Sequence, residues 1–349
     1  MDFIPFSDEA LRIAANLAQR HDAWVDAIRR LDALPSSMFF APKEGHPQYL
    51  TVKRRPGDVG TTQGVRSEAT EKRLGDFLAE RAAAQAAVTE TGKALAEIVV
   101  LYRRLKLPQA MPKPARILRE LDIAGLLGDS LMLVGTNAFA AYEIEAGCRF
   151  TRGLDETEDF DLAWCRGAQI ALSASSDRPV GSPLMKVLKT VDASFRINER
   201  KPYQAVDKTG YEVELLVAPS LFRTLSREEV FSPMAIFEEQ EWLLKGRPVR
   251  HVVASRDNRS CPIFAPDPRW MALHKLWLAE KPERDAKKRP KDLAQGNLLL
   301  DAVSRNMRIA YPLDTDFVLD LPEELRPHFD RWASVRGFVP AKPGTAPMR

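Results

Sequence analysis

Cysteine is scarce in this chain. Cys148, Cys165 and Cys261 stand far apart in a sequence of 349 residues and form no CxxC pair. That spacing excludes a disulfide framework and a zinc ribbon, and it fits a reducing compartment, so the expected location is the cytoplasm. No apolar run approaches the roughly 20 residues that a membrane span requires. The opening stretch, MDFIPFSDEALRIAANLAQRHD, has no basic segment followed by an apolar one, so no signal peptide is expected. His21, His46, His251 and His328 show no metal-ligand spacing and are assigned nothing. There is no GxxxxGK[ST] and therefore no Walker loop. An excess of one charge sign is missing too: the net charge of +3 is too small to imply nucleic acid by itself. Partners must be argued from sites.

What is present is ordinary in bulk, with 45% hydrophobic and 28% charged residues, as in soluble globular proteins. The length allows two domains, or one core with a large extension. Residues from about 7 to 33 read as a helix capped by Ser7. QYLTVKRR follows as a short strand and RPGDVGTTQGVR as a glycine-rich loop. Ser67, with Glu68 and Glu71, then opens a long helix expected to end at Leu105. Its apolar positions keep a helical period and not a strict heptad, which favours packing on the body of the protein over a free coiled coil.

KLPQAMPKP breaks the chain and sets the expected boundary of a helical N-terminal region, 1–110. The core is expected over 111–265. It begins with the helix PARILRELDIAGLL, followed by strand, helix and strand in LMLVGTNAFAAYEIEAGCRFTRGLDETEDFDLAW. SPLMKVLKTV reads as a helix, and SFRIN, YQAVD, YEVELLVA, WLLKG and PVRHVVA as strands. PDPRWMALHKLWLAEK and KDLAQGNLLLDAVSRNM give C-terminal helices in 266–338, and the 339–349 tail is expected to be disordered. The fold class is α+β.

The candidate site starts from Asp159 and Asp161. Residues two apart on a strand share a face, so these carboxylates are expected to point together. Adjacent carboxylates repel unless a positive charge separates them. Mg²⁺ (or Mn²⁺) is the usual solution, held by one or two carboxylates plus substrate phosphate oxygens. A third acid is expected from YEVELLVAP, where Glu212 and Glu214 share a face; Glu214, deeper in apolar sequence, is preferred as metal ligand and as help in deprotonating a hydroxyl. Gly135, Thr136 and Asn137 stand where strand gives way to helix. There a close backbone approach and free N–H groups suit the phosphates of an NTP.

Together, LVGTNAFAAYE and TEDFDL resemble the nucleotidyltransferase fold of the polymerase-beta superfamily, and more narrowly a bacterial family of nucleotidyltransferase-fold proteins. GVRSEATE and HKLW…KDLAQ are similar to that family as well. The resemblance implies a short mixed sheet with helices. It also implies phosphate binding by Gly135 and Thr136, metal binding by Asp159 and Asp161, and a third acid at the position of Glu214. Lys275 then matches the basic residues that reach a triphosphate from later helices, and Asp292 can orient such a residue. Two departures stand out: one glycine where Gly-Gly or Gly-Ser is common, and glutamate where aspartate is usual.

The implied reaction moves an NMP group from an NTP to a hydroxyl-bearing acceptor, which can be RNA, protein or a small molecule. A toxin-like or defence-associated transferase acting on tRNA has the same site. A degenerate member that binds a nucleotide or partner without chemistry is the reading from a different class. Each candidate also has a plainer alternative. Asp159 and Asp161 can be an acidic turn, Glu214 the wet face of a strand, Gly135-Thr136 a tight turn, Lys275 a surface lysine, and KPERDAKKRPKD a solvated loop. The N-terminal helices are expected to meet the acceptor or a partner protein.

Overall fold

The computed structural model describes residues 3–41, 47–128, 130–151, 159–165, 183–222 and 235–341. The expected disordered end of the tail, His46 and the LDETED segment up to residue 158 lie outside these residues. The chain forms two compact units, Asn16–Leu101 and a larger one of Met1–Ala15 with Tyr102–Arg349.

The chain begins with β1 (Phe3–Pro5) and α1 (Asp8–Ala33). Ser7 Oγ caps α1 by accepting from the Ala10 N–H at 3.2 Å. The smaller unit continues with β2 (Ser37–Ala41), β3 (Tyr49–Lys53) and β4 (Thr61–Val65), an antiparallel sheet with β3 in the centre. β4 occupies part of the stretch expected as a glycine-rich loop. Its side chains are exposed throughout, so no apolar alternation marks it in sequence. α2 (Glu68–Arg104) follows the Ser67 cap, where Ser67 and Thr70 exchange backbone-to-hydroxyl hydrogen bonds.

In the larger unit, β5 (Gln109–Ala110) leads to α3 (Pro112–Ile123), whose prolines sit in its first turn, where no N–H is missed. β6 (Leu131–Val134) is wholly buried; a 3-10 turn, Thr136–Ala138, follows it and runs into α4 (Phe139–Glu145). β7 (Cys148–Phe150) pairs antiparallel with β1, and Phe3 meets Phe150 edge to face at 5.5 Å between ring centres. Then come β8 (Asp159–Trp164), α5 (Pro183–Val191), β9 (Arg196–Ile197), β10 (Gln204–Val206) and β11 (Glu212–Val217). α6 (Pro219–Phe222), β12 (Ala235–Ile236) and α7 (Gln240–Leu243) follow. The expected strand WLLKG is therefore the end of α7 and a turn: a short apolar run cannot by itself be told from one turn of buried helix.

The central sheet runs β6-β8-β11-β10-β9, with β12 also on β11. β8 and β11 are parallel; β6 and β10 flank them antiparallel, giving the mixed sheet expected. A second sheet joins β13 (Val249–Ser255), β14 (Ser260–Ala265) and β5. The C-terminal layer holds α8 (Pro268–Glu280), α9 (Arg289–Asn306), α10 (Thr315–Leu319) and α11 (Arg326–Arg336). α8 and α9 touch closely at Gly296, where an added Cβ would stand 2.8 Å from the Ala272 carbonyl. Among the described residues no helix is long and apolar enough to cross a membrane.

Candidate active site

The register of β8 on β11 decides how the acids meet. Asp159 pairs with Glu212 and Asp161 with Glu214, so four acidic positions form two neighbouring pairs on adjacent parallel strands. Val134, the last residue of β6, pairs with Asp161 on the other side. The chain then turns at Gly135, and an added Cβ there would lie 2.9 Å from Asp161 Oδ2. The backbone at the glycine and the aspartate carboxylate thus share one corner.

That corner opens into a cavity of about 580 Å³, lined on the sheet side by Val134, Gly135, Thr136, Asp161, Glu212 and Glu214. The structure brings together Gly135, Thr136, Asp161, Glu214 and Lys275 from the expected set. It does not bring Asn137, which stands in the 3-10 turn outside the cavity lining. Asp159 holds its place beside Glu212, but its side chain lies outside the described residues.

Glu214 is half-buried and faces the cavity. Gln204, almost fully buried on β10, donates from Nε2 to Glu214 Oε1, and its own Oε1 accepts from Asn198 Nδ2 at 3.0 Å. The β10–β11 hairpin that sets this register is tied by Asp207. Its Oδ1 accepts from the N–H groups of Thr209 (2.8 Å) and Tyr211 (3.1 Å), and its Oδ2 from Lys113.

The opposite wall is α8. Met271, His274, Lys275 and Leu278 face the cavity at helical spacing. Lys275 is buried, 4% exposed, and not the surface residue that its charge suggests in sequence. Its Nζ donates to Asp292 Oδ1 at 2.7 Å, and Arg284 donates to Asp292 Oδ2 at the same distance. Burial lowers the Lys275 pKa, the Asp292 carboxylate opposes that, and Asp161 lies within electrostatic reach. Asp292 is an N-terminal residue of α9 that anchors two cations at once. Lys281, Glu283, Arg284, Lys288 and Lys291 also line the cavity, so the expected solvated loop, largely exposed, borders it. Gln295, fully buried on α9, donates to Thr136 Oγ1 at 3.3 Å and ties the glycine turn to the helix wall.

Sequence reading missed Gln204, Arg284 and Gln295. Gln204 and Gln295 carry no charge pattern to flag them. Arg284 is one of many basic residues in KPERDAKKRPKD, and only its contact with buried Asp292 singles it out. Among the described residues, no group of three His, Cys, Asp or Glu side chains forms a ready metal cage. The donor set nevertheless fits a hard cation: the acids of β8 and β11 offer oxygen only, and Mg²⁺ completes its shell with water and phosphate oxygens.

A mixed sheet with a glycine-led turn, an Asp-x-Asp strand and a second acidic strand facing a basic helix pair is the architecture of a nucleotidyltransferase domain. The family model described as Nucleotidyltransferase matches residues 113–317, and the chain belongs to that family. Among solved structures it is similar to an antigenic nucleotidyltransferase-like protein from Paracoccidioides brasiliensis. The two share 14% identity over 66% of this chain and 91% of that one, with a TM-score of 0.34, a likeness too loose for comparing sites. No curated protein matches the chain.

Proposed function

We propose that this protein transfers a nucleoside monophosphate group from an NTP to a hydroxyl-bearing acceptor and releases pyrophosphate. The observation that carries the reading is a cleft that sets acids of the sheet against a helix side richer in cations. Asp161, Glu212 and Glu214, with Lys201 near them, stand on the sheet side; Lys275, Lys281, Arg284, Lys288 and Lys291 outnumber Glu283 and Asp292 on the helix side. A triphosphate with a divalent ion fits between them: the ion offsets the acids, and the cations meet the phosphate oxygens.

Asp159 and Asp161 would hold Mg²⁺ (or Mn²⁺), with Glu214 or Glu212 completing the set. When bound, the ion neutralises charge on the transferring phosphoryl group and activates the attacking hydroxyl. Gly135 lets backbone approach the phosphates, and Thr136, braced by Gln295, offers a hydroxyl. Lys275 and Arg284, both held by Asp292, keep positive charge where pyrophosphate departs. Glu214 accepts the hydroxyl proton as the new O–P bond forms and the bond to pyrophosphate breaks. Its orientation is set by Gln204. Catalysis is then positioning and charge neutralisation. The free, scattered cysteines fit a cytoplasmic protein. The acceptor, whether RNA, protein or small molecule, is to be found by labelling.

The test measures pyrophosphate release from the four NTPs with Mg²⁺ and cell extract as acceptor source. Asp161→Asn is expected to lower the rate by about 100-fold or more, and chelation of divalent ions to abolish it. A variant that keeps the parent rate would sink the proposal. One observation favours a second reading, nucleotide binding without turnover: the Gln204 bond already engages one Glu214 oxygen. Tight Mg²⁺-dependent NTP binding with no pyrophosphate released in any extract would select it.

A further inference from the structure

A second concentration of positive charge lies where α2 ends, β5 pairs with β13 and the β13–β14 turn closes. Arg103 and Arg104 end α2, Lys106 follows in a left-handed turn, and Arg256 and Arg259 stand on the β13–β14 turn. Arg104, Lys106, Arg256 and Arg259 are exposed. Hydrogen bonds join the three elements. Arg103 donates to Asn258 Oδ1 and, at 3.2 Å, to Gln109 Oε1, and the Arg256 N–H donates to the Ala110 carbonyl at 3.0 Å. None of these residues is part of the cleft lining.

Arg119, on α3, lies buried beside this surface. It is 6% exposed, and among the described residues its guanidinium donates no hydrogen bond. Its Nε stands 4.0 Å from Glu120 Oε1, too far for one. Burial, and then the charge of Arg259, lower the Arg119 pKa, with Glu120 and Asp257 opposing. Asp257 is itself engaged, since its Oδ1 accepts from the Ser255 hydroxyl. The guanidinium stays charged at any ordinary pH. It also keeps contact with solvent: the buried side-chain atoms that are both sealed and unpaired belong to Tyr211, Gln240 and His274. A buried cation with five donors and none used is costly to keep unless something from outside supplies acceptors.

We propose that this surface binds the phosphate backbone of an RNA, with one phosphate seated between Arg119 and Arg259. Guanidinium forks match the non-bridging oxygens of a phosphodiester, and one such group answers two like charges that otherwise repel. The cations run on from that seat over the turn to the end of α2, further than one phosphate needs, so a chain of phosphates is the partner that uses them all. An RNA also carries the hydroxyl that nucleotidyl transfer requires. Its role as acceptor rests on that reading of the cleft; the binding surface does not.

Fluorescence anisotropy of a labelled single-stranded RNA with the full chain tests it, without Mg²⁺ and over a range of KCl concentrations. Affinity is expected to fall with salt, by a log–log slope of about −0.7 for each phosphate neutralised. Replacing both turn arginines (Arg256→Gln with Arg259→Gln) is expected to weaken binding about 10-fold and to flatten that slope by about 1.4. Arg119→Met is expected to weaken it about 10-fold without lowering the thermal midpoint, because the group removed is a buried, unpaired cation. The exposed turn pair carries the test if Arg119→Met loses its fold. Mg²⁺-ATP affinity, read by calorimetry, stays at the parent value in every folded variant. RNA binding that survives the variants, or no RNA binding by a chain that takes up Mg²⁺-ATP, overturns the surface and leaves nucleotidyl transfer standing. Polyglutamate that displaces the RNA at equal charge overturns the choice of RNA. Variant-sensitive RNA binding by a chain that takes up no Mg²⁺-ATP supports the surface and sinks the transfer reading.

Discussion

Gly135 has φ +79° and ψ −159°, a region that residues with a Cβ occupy only under strain. Its Cα faces the Asp161 carboxylate, where a methyl group would be too close. Gly135→Ala is therefore expected to cost about 1–3 kcal/mol in urea unfolding and to weaken NTP binding by displacing that carboxylate. Unchanged stability and affinity would show that the corner is loose. The strand that carries Asp159 and Asp161 was visible in sequence because strand periodicity is short and strict. The burial of Lys275 was not, because a lysine on an amphipathic helix faces water unless an acid from another helix, here Asp292, meets it.

At the scale of elements, α4 and β7 carry a titrating group in their packing. Glu143 is buried and accepts the Phe150 N–H at 2.7 Å, fastening the strand that β1 pairs with. Burial raises its pKa from 4.5 to about 7, against the pull of the Phe150 N–H and Arg149. Between those values the folded chain binds a proton that the unfolded chain has released. Stability contributed here is present below about pH 4.5 and is lost as pH rises through about 7. The loss is about 3 kcal/mol at most. Glu143→Gln is expected to flatten this part of the stability profile when urea midpoints are compared from pH 5 to 8; an unchanged slope would exclude Glu143 as its source. The same scale explains the misread strand WLLKG and the unforeseen β4: one is too short to show a period, the other too exposed to show alternation.

At the scale of the whole molecule, the two compact units are expected to unfold separately. Trp24 belongs to the Asn16–Leu101 unit, whereas Trp242, Trp270, Trp277 and Trp332 belong to the larger one. Fluorescence therefore follows the larger unit, while far-UV ellipticity reports both units, through α1 and α2, 26 and 37 residues long, and through helices such as α8 and α9, 13 and 18 residues long. Much of α2 is exposed, with Phe77, Leu95, Val99 and Tyr102 its buried apolar side chains other than alanine. The ellipticity curve is expected to show an early step at lower denaturant that the fluorescence curve lacks; coincident curves would show one cooperative unit.

By itself the sequence determined the local facts: the caps at Ser7 and Ser67, the α+β class, the glycine turn after β6 and the alternation that places acids on β8 and β11. Each follows from a period or a backbone preference acting within a few residues. Only the tertiary structure decided that Asp161 pairs with Glu214, that Asp292 draws Lys275 and Arg284 to the facing wall, and that Arg119 is buried within reach of Arg259. Strand register and helix packing join residues far apart in the chain, and no local pattern encodes which of many acids, lysines and amides will meet.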